Sequence, residues 1–339
     1  MNIDRSMLDI GVLGAGSWGT TLALHLYGLG HRVTLWEFRP DAAERLRGDH
    51  ENKEFLPGIP LPDTLEITSD LGEACHGKDI WLVVVPSHVV RSVVERMKDL
   101  PLDDAIIVTA TKGIENRTLY RVTEIFQDTC PQWPSERIAA LSGPSLASEV
   151  CMQIPTSVVV ASEFLPTAQR VQHAFFSPYL RVYASEDLVG VELGGALKNV
   201  IAIAAGICDG LGYGDNTKGA LLTRGLAEIS RLGMAMGGKR VTFAGLSGMG
   251  DLITTCNSPH SRNRHVGEQI GRGRKLQEIL DDMVMVAEGV KTSQSAYDLS
   301  KRHHIPMPIT EEAYYVLFHD KDPRAAVEDL MMRDLKVED

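Results

Sequence analysis

The chain has 339 residues, 44% of them hydrophobic and 23% charged, with a formal net charge of −11. Such proportions suit a soluble globular protein long enough for two domains. The acidic balance excludes a general nucleic-acid binder, which needs a basic face. An anionic substrate stays possible, because it feels only the local field of its cleft.

In chain order, residues 9–13 read as a strand that runs into Gly14-Ala15-Gly16-Ser17-Trp18-Gly19. Residues 20–29 have helical character, Gly30 stops them, and residues 31–37 read as a second strand. Strand, glycine turn, helix and strand within about 30 residues give GxGxxG its dinucleotide-binding meaning. Gly14 permits the tight turn, Gly16 lets backbone approach a pyrophosphate, and Gly19 lets the helix lie close to the strand. The free N–H groups of the helix N-terminus then face the phosphates.

The second strand ends at Trp36-Glu37-Phe38-Arg39. Glu37 could accept from ribose hydroxyls, as NAD requires, Arg39 could bind the 2′-phosphate of NADP, and Phe38 could stack on adenine. A solvated turn is the competing reading, and the cofactor stays NAD or NADP.

The alternation continues with strands at 65–68, 80–85 and 105–110, and Ser87 is expected to cap a helix running to Met97. Lys112 follows the strand at 105–110, so it should face the cleft at the carboxyl ends of a parallel sheet. A strand at 137–141 leads into Ser142-Gly143-Pro144-Ser145-Leu146-Ala147, whose small residues allow backbone near a nicotinamide. Strands at 156–161 and 180–183 bracket a helix at 166–176.

Residues 193–208, LGGALKNVIAIAAGIC, are apolar or glycine except for Lys198 and Asn199. A helix apolar all round belongs inside the fold. There the Lys198 ammonium is desolvated and its pKa pushed down, which suits an acid–base group. The run is short for a membrane span, and no integral membrane segment is expected. Beyond it the pattern is helical: about 217–236, 263–271, 275–280, 289–301, 309–319 and 323–330. Residues 245–264 read as a loop that carries chemistry, GLSGMGDLITT followed by SPHSRNR. Asp251 could pair with Lys198, and Ser261, Arg262 and Asn263 could cover phosphate oxygens. An N-cap with an exposed basic turn is the alternative there. Glu288, after Val286 and Ala287, reads as a helix start or a cofactor-ribose contact.

The fold class is therefore α/β: a Rossmann-type doubly wound sheet over residues 1–188, then an all-α domain over 189–339. The five scattered cysteines form no CxxC pair, and the eleven histidines show no metal-ligand spacing, so no metal is expected. With no basic segment leading an apolar core near the N-terminus, the expectation is cytoplasmic.

Taken together, GAGSWGTTLA, LVVVPSH, TATKGIE, LSGPSLASEV, ELGGALKNVIAIAAGI, GLSGMGDLITTC, SRNR and VAEGV resemble the NAD(P)-dependent glycerol-3-phosphate dehydrogenases of the bacterial type. The resemblance runs from residue 10 to about 290. It implies reversible reduction of dihydroxyacetone phosphate to sn-glycerol 3-phosphate, supplying phospholipid synthesis. It implies Lys198 as the proton donor and acceptor at C2. Lys112, Gly143, Ser145, Asp251, Ser261, Arg262 and Asn263 would line the substrate site, with Asn199 and Thr255 nearby. Ser17, Trp18, Phe38, Arg39, Lys112, Ala147, Arg262, Val286 and Glu288 match cofactor-contacting positions. A homodimer is implied on the same ground. The competing readings are a 3-hydroxyacid or 6-phosphogluconate type dehydrogenase and a non-catalytic dinucleotide sensor. The GDLITTC and SRNR segments stand against both.

Overall fold

Strands β1 (Asp9–Leu13), β2 (Arg32–Trp36), β3 (Glu66–Thr68), β4 (Ile80–Val83), β5 (Ile106–Thr109), β6 (Ile138–Ser142), β7 (Thr156–Ala161) and β8 (Leu180–Ser185) form one sheet. A computed structural model describes residues 6–335, 337 and 338; residues 1–5, 336 and 339, the outer ends of the two expected domains, lie outside the described residues. The strand order is β3-β2-β1-β4-β5-β6-β7-β8. Neighbours are parallel except β6 and β7, which run antiparallel. The continuous apolar runs follow from burial on both faces. In β4, Ile80 and Leu82 join one core layer while Trp81 and Val83 join the other. The chain crosses from β3 back to β4 beside β1, which opens a crevice between the carboxyl ends of β1 and β4. Open α/β sheets bind their ligands at such a reversal.

After β8 the described chain is helical. The helix Leu188–Gly210 is 23 residues long and begins at an Asp187 cap, whose carboxylate accepts from the Gly190 N–H at 2.9 Å. Among the described residues it is the one helix long and apolar enough to cross a membrane, yet 94% of its most apolar window is buried inside the fold. Other elements surround it, so it is the core of the second half.

Two glycine pairs set what touches this helix. A Cβ on Gly206 would lie 2.0 Å from the Arg264 carbonyl oxygen, and one on Gly267 would lie 1.9 Å from that of Ile203. The helix Arg262–Gly271 therefore packs backbone to backbone against the central helix, which brings its first turn beside Asn199.

Two expectations need correction. Ser87 does not cap the helix to Met97: the chain makes a short 3₁₀ turn at Ser87–Val89 before the helix Val90–Met97, and the Ser87 hydroxyl donates to Glu288 instead. The stretch read as a loop at 245–264 is largely helical. Residues 246–250 form a wide π turn, closed by the Gly250 N–H donating to the Gly245 carbonyl at 3.0 Å, and Asp251–Asn257 is an α-helix. The glycines there serve close packing: a Cβ on Gly248 would sit 2.1 Å from the Phe243 carbonyl oxygen.

The helix Val122–Thr129, which packs on the sheet, and the central helix are fastened together by a buried ion pair that has no local sign in the sequence. Glu192 accepts from the Arg121 guanidinium and from the backbone N–H of Thr123 at 3.0 Å.

Candidate active site

The glycine turn after β1 has the geometry its spacing implies. Gly14 sits at φ +119°, where a side chain would be strained, and its N–H donates to the Trp36 carbonyl at 3.1 Å. A Cβ on Gly19 would lie 1.8 Å from the Gly14 carbonyl oxygen, so only glycine lets the helix Ser17–Gly28 seat against the turn. Gly16 differs: nothing lies within 4 Å of the point where its Cβ would be. Gly16 is also the N-cap and offers no side-chain cap, so the N–H groups of the first turn, at half-buried Ser17 and Trp18, stay free for an anion. The turn fits a dinucleotide pyrophosphate on these two observations.

Further along the same edge, Phe38 exposes 63% of its surface and Glu37 is buried. Arg39 is paired to Glu37 at 3.0 Å and to Glu54 at 3.2 Å, so this is not a free solvated turn. Ala147 starts a short helix beside the cofactor helix, where its carbonyl accepts from the Thr21 hydroxyl at 3.5 Å. Glu288 opens the helix Glu288–Arg302, just past half-buried Val286, and its carboxylate accepts from the Ser87 N–H at 2.9 Å and from the Ser87 hydroxyl. Ser87 thus joins the end of β4 to the helical half; its place after Pro86 suggested a cap and gave no sign of this partner.

Where the sheet meets the helical half, the structure gathers Lys112, Gly143 and Ser145 from beyond β5 and β6 with Lys198, Asp251 and Thr255 from the helices. Lys198 is 6% exposed. Its ammonium donates to Asp251 Oδ1 at 2.9 Å and to Thr255 Oγ1 at 2.5 Å. The Thr255 hydroxyl in turn donates to Asp251 Oδ1 at 3.1 Å. Lys112 reaches the other oxygen of the same carboxylate at 2.7 Å and the Gly143 carbonyl at 2.9 Å. Ser145 donates to that carbonyl as well, at 3.1 Å. Gly195, one turn before Lys198, lets the end of β6 lie against the central helix, since a Cβ there would be 2.4 Å from the Ser142 hydroxyl oxygen.

One buried carboxylate therefore serves two ammonium groups. Burial pushes the Lys198 pKa down to about 8; Asp251 opposes that shift, and the nearby Lys112 charge adds to it. Burial would raise the Asp251 pKa, but the two lysines outweigh it and hold the carboxyl below its usual range. Lys198 can thus exchange a proton near neutral pH while Asp251 stays ionised.

A second chain of hydrogen bonds fixes the neighbouring amides. The Gly289 N–H donates to Asn263 Oδ1 at 2.8 Å, and Asn263 Nδ2 donates to Asn199 Oδ1 at 2.9 Å. This leaves the Asn199 amide nitrogen as the donor end. Ser261 is the N-cap of the helix Arg262–Gly271, accepting from the Arg264 N–H at 3.2 Å, so the capping expected as the alternative there is present. The Arg262 side chain makes no hydrogen bond or ion pair among the described residues, and the nearby Glu288 carboxylate favours its charge, which leaves its guanidinium donors open at that helix start.

A family model described as NAD-dependent glycerol-3-phosphate dehydrogenase N-terminus matches residues 9–168, and one described as the C-terminus of the same enzyme matches residues 187–328. The chain is 54% identical over 331 residues to the glycerol-3-phosphate dehydrogenase (NAD(P)+) of Syntrophotalea carbinolica, covering 98% of this chain and 99% of that one. It is 55% identical over 329 residues to the enzyme of the same name from Citrifermentans bemidjiense, covering 97% and 98%. Among solved structures, glycerol-3-phosphate dehydrogenase from Coxiella burnetii superposes with a TM-score of 0.92 at 38% identity, covering 96% of this chain and 99% of that one.

Proposed function

The chain belongs to the NAD(P)-dependent glycerol-3-phosphate dehydrogenase family, and from that premise we propose which of its residues perform the reaction and where it operates. It is an oxidoreductase that interconverts dihydroxyacetone phosphate and glycerol 3-phosphate with a nicotinamide cofactor. The observation that carries the site assignment is the buried Lys198 ammonium, held by Asp251 and Thr255 with its pKa near 8.

When bound, the cofactor supplies or accepts the hydride at C2. Lys198 gives its proton to the oxygen that develops charge on the ketone carbon, and in the oxidation direction the neutral amine takes the hydroxyl proton. Asp251 and Thr255 aim the ammonium, so no reorganisation is needed as charge develops. Lys112 adds a second positive charge beside the carbonyl, while Gly143, Ser145 and the free donor of Asn199 line the substrate's carbon skeleton. The guanidinium of Arg262, with Asn263, Ser261 and the backbone N–H groups of that helix start, holds the phosphate. That remote grip positions the ketone, so binding energy is used for rate. Gly14, Gly16, Ser17, Trp18 and Gly19 take the pyrophosphate. Phe38 and Arg39 take the adenosine end, and Lys112, Ala147, Arg262, Val286 and Glu288 the nicotinamide end.

We also propose a division of the chain at residue 188, between the sheet and the central helix, and a homodimer, as the family resemblance implies. A cytoplasmic setting is supported by four buried free thiols, Cys75, Cys130, Cys208 and Cys256, which suit a reducing compartment. Supply of glycerol phosphate to phospholipid synthesis is the corresponding role. The test is loss of nicotinamide absorbance with dihydroxyacetone phosphate, compared between wild type and Lys198→Ala. A positioned acid–base group accounts for about two to four decades of kcat. Turnover of the folded variant near the wild-type rate would remove Lys198 from the mechanism.

A further inference from the structure

The adenosine end of the crevice carries a charge arrangement that the mechanism does not use. In sheets of this type an acidic side chain beyond the second strand hydrogen-bonds the ribose hydroxyls of NAD, whereas an arginine nearby accommodates the 2′-phosphate of NADP. This chain has both, and they are bonded to each other. Glu37 Oε1 accepts from the Arg39 backbone N–H at 3.2 Å and from its Nε at 3.0 Å. Glu54 accepts from the Arg39 NH2 group at 3.2 Å. The three side chains together carry one net negative charge. Glu37 Oε2 takes no hydrogen bond or ion pair among the described residues.

We propose that Glu37 determines cofactor choice, making the enzyme prefer NAD(H) to NADP(H): it ties up Arg39 and leaves its second oxygen to accept from the ribose 2′-hydroxyl. This rests on the reading of the β2 end as the adenosine site. A 2′-phosphate brings nearly two negative charges to a spot already negative. To grip it with a forked contact, Arg39 must leave at least one of its carboxylates. Burial makes that exchange harder, because the Glu37 side chain is only 7% exposed and loses its partner without gaining much water. The arginine that could serve NADP is thus the residue that Glu37 neutralises.

The test uses the full-length enzyme and compares kcat/KM for NADH and NADPH at saturating dihydroxyacetone phosphate. Wild type is expected to favour NADH. Glu37→Gln keeps the side-chain shape but removes the charge, and it should move the ratio toward NADPH by fivefold or more, carried by KM. Adding Arg39→Ala to it should abolish the gain. Glu54→Gln, at the exposed end of the trio, should move the ratio the same way by less, and it serves if Glu37→Gln folds poorly. A wild type that favours NADPH, or a shift in Glu37→Gln below fivefold, overturns the proposal. Titration calorimetry with NADH and NADPH reads the same ratio without turnover. Failure to reduce dihydroxyacetone phosphate would therefore sink the proposed reaction while the binding ratio still decides the role of Glu37.

Discussion

Replacing Asp251 by asparagine removes the charge that holds Lys198 protonated while keeping an oxygen in place to accept its hydrogen bond. The two groups are 2.9 Å apart. With an effective dielectric of about 20, a full unit-charge pair at that distance is worth about 6 kcal/mol. The carboxylate charge is spread over two oxygens and one of them faces Lys112, so about half of that acts on Lys198. About 3 kcal/mol converts to about two pKa units at 1.36 kcal/mol each. The Lys198 pKa should fall from about 8 to roughly 6, within the range documented for buried lysines without a partner. Lys112, deprived of the same partner, pushes in the same direction. The sign for activity follows from the role: reduction needs the protonated amine, so its rate is lost as pH rises through the pKa. The assay is kcat/KM for dihydroxyacetone phosphate between pH 5.5 and 9.5, which reports the free enzyme. Its alkaline limb should move down by about two units, leaving about a tenfold deficit at pH 7 from protonation alone. The oxidation limb should move down equally. A limb that stays within half a unit of wild type, or moves up, refutes the assignment of Asp251 as the charge that tunes Lys198.

Four further substitutions separate binding from folding. Arg262→Ala should raise KM for dihydroxyacetone phosphate about ten- to a hundredfold, the worth of charge-assisted hydrogen bonds, with a much smaller change in kcat; an unchanged KM removes it as the phosphate anchor. Gly16→Ala should fold with an unchanged melting temperature and weaken cofactor binding measured by calorimetry, because nothing in the protein meets the new methyl; Gly19→Ala, aimed at the Gly14 carbonyl from 1.8 Å, should lose the fold. Arg121→Met leaves Glu192 without its cation, at a cost of about 3–5 kcal/mol if it stays charged. Burial already pushes the Glu192 pKa up, so this variant should be least impaired at low pH and lose stability as pH rises above the ordinary carboxylate range, read by denaturant melts at pH 5 and pH 8.

The parts of this site that could be read in sequence are those encoded locally. The glycine turn is a backbone event within six residues, and each glycine has a distinct job that the spacing specifies. Lys198 is legible because a charged residue in the middle of an apolar helix is costly unless something pairs it. The Asp251 partnership could be suspected for the same reason, since a carboxylate placed between glycines and apolar residues has few other uses. Sequence position also predicted that Lys112 faces the crevice, as every strand end on that edge does.

What stayed hidden depends on atoms far apart in the chain. Glycines at 245, 248 and 250 look like a loop because the commonest reason for such a cluster is conformational freedom. Here the reason is space: Gly248 lies against the Phe243 backbone, and Gly194 of the central helix lies against the Ser247 carbonyl, 2.8 Å from where its Cβ would be. Those approaches wind the segment into a π turn, and the turn sets the first residue of the next helix, Asp251, against Lys198. The same physics acts on the other side of that helix, where Gly206 and Gly267 bring Asn263 to Asn199. A glycine chosen to admit a neighbour about 60 residues away, as Gly206 and Gly267 do, and one chosen to permit a turn are the same letter in sequence. The catalytic amine is therefore positioned less by the residues that bond it than by the missing Cβ atoms that let their backbones approach, and a methyl added at Gly194 should disturb the Asp251 geometry without touching either charged group.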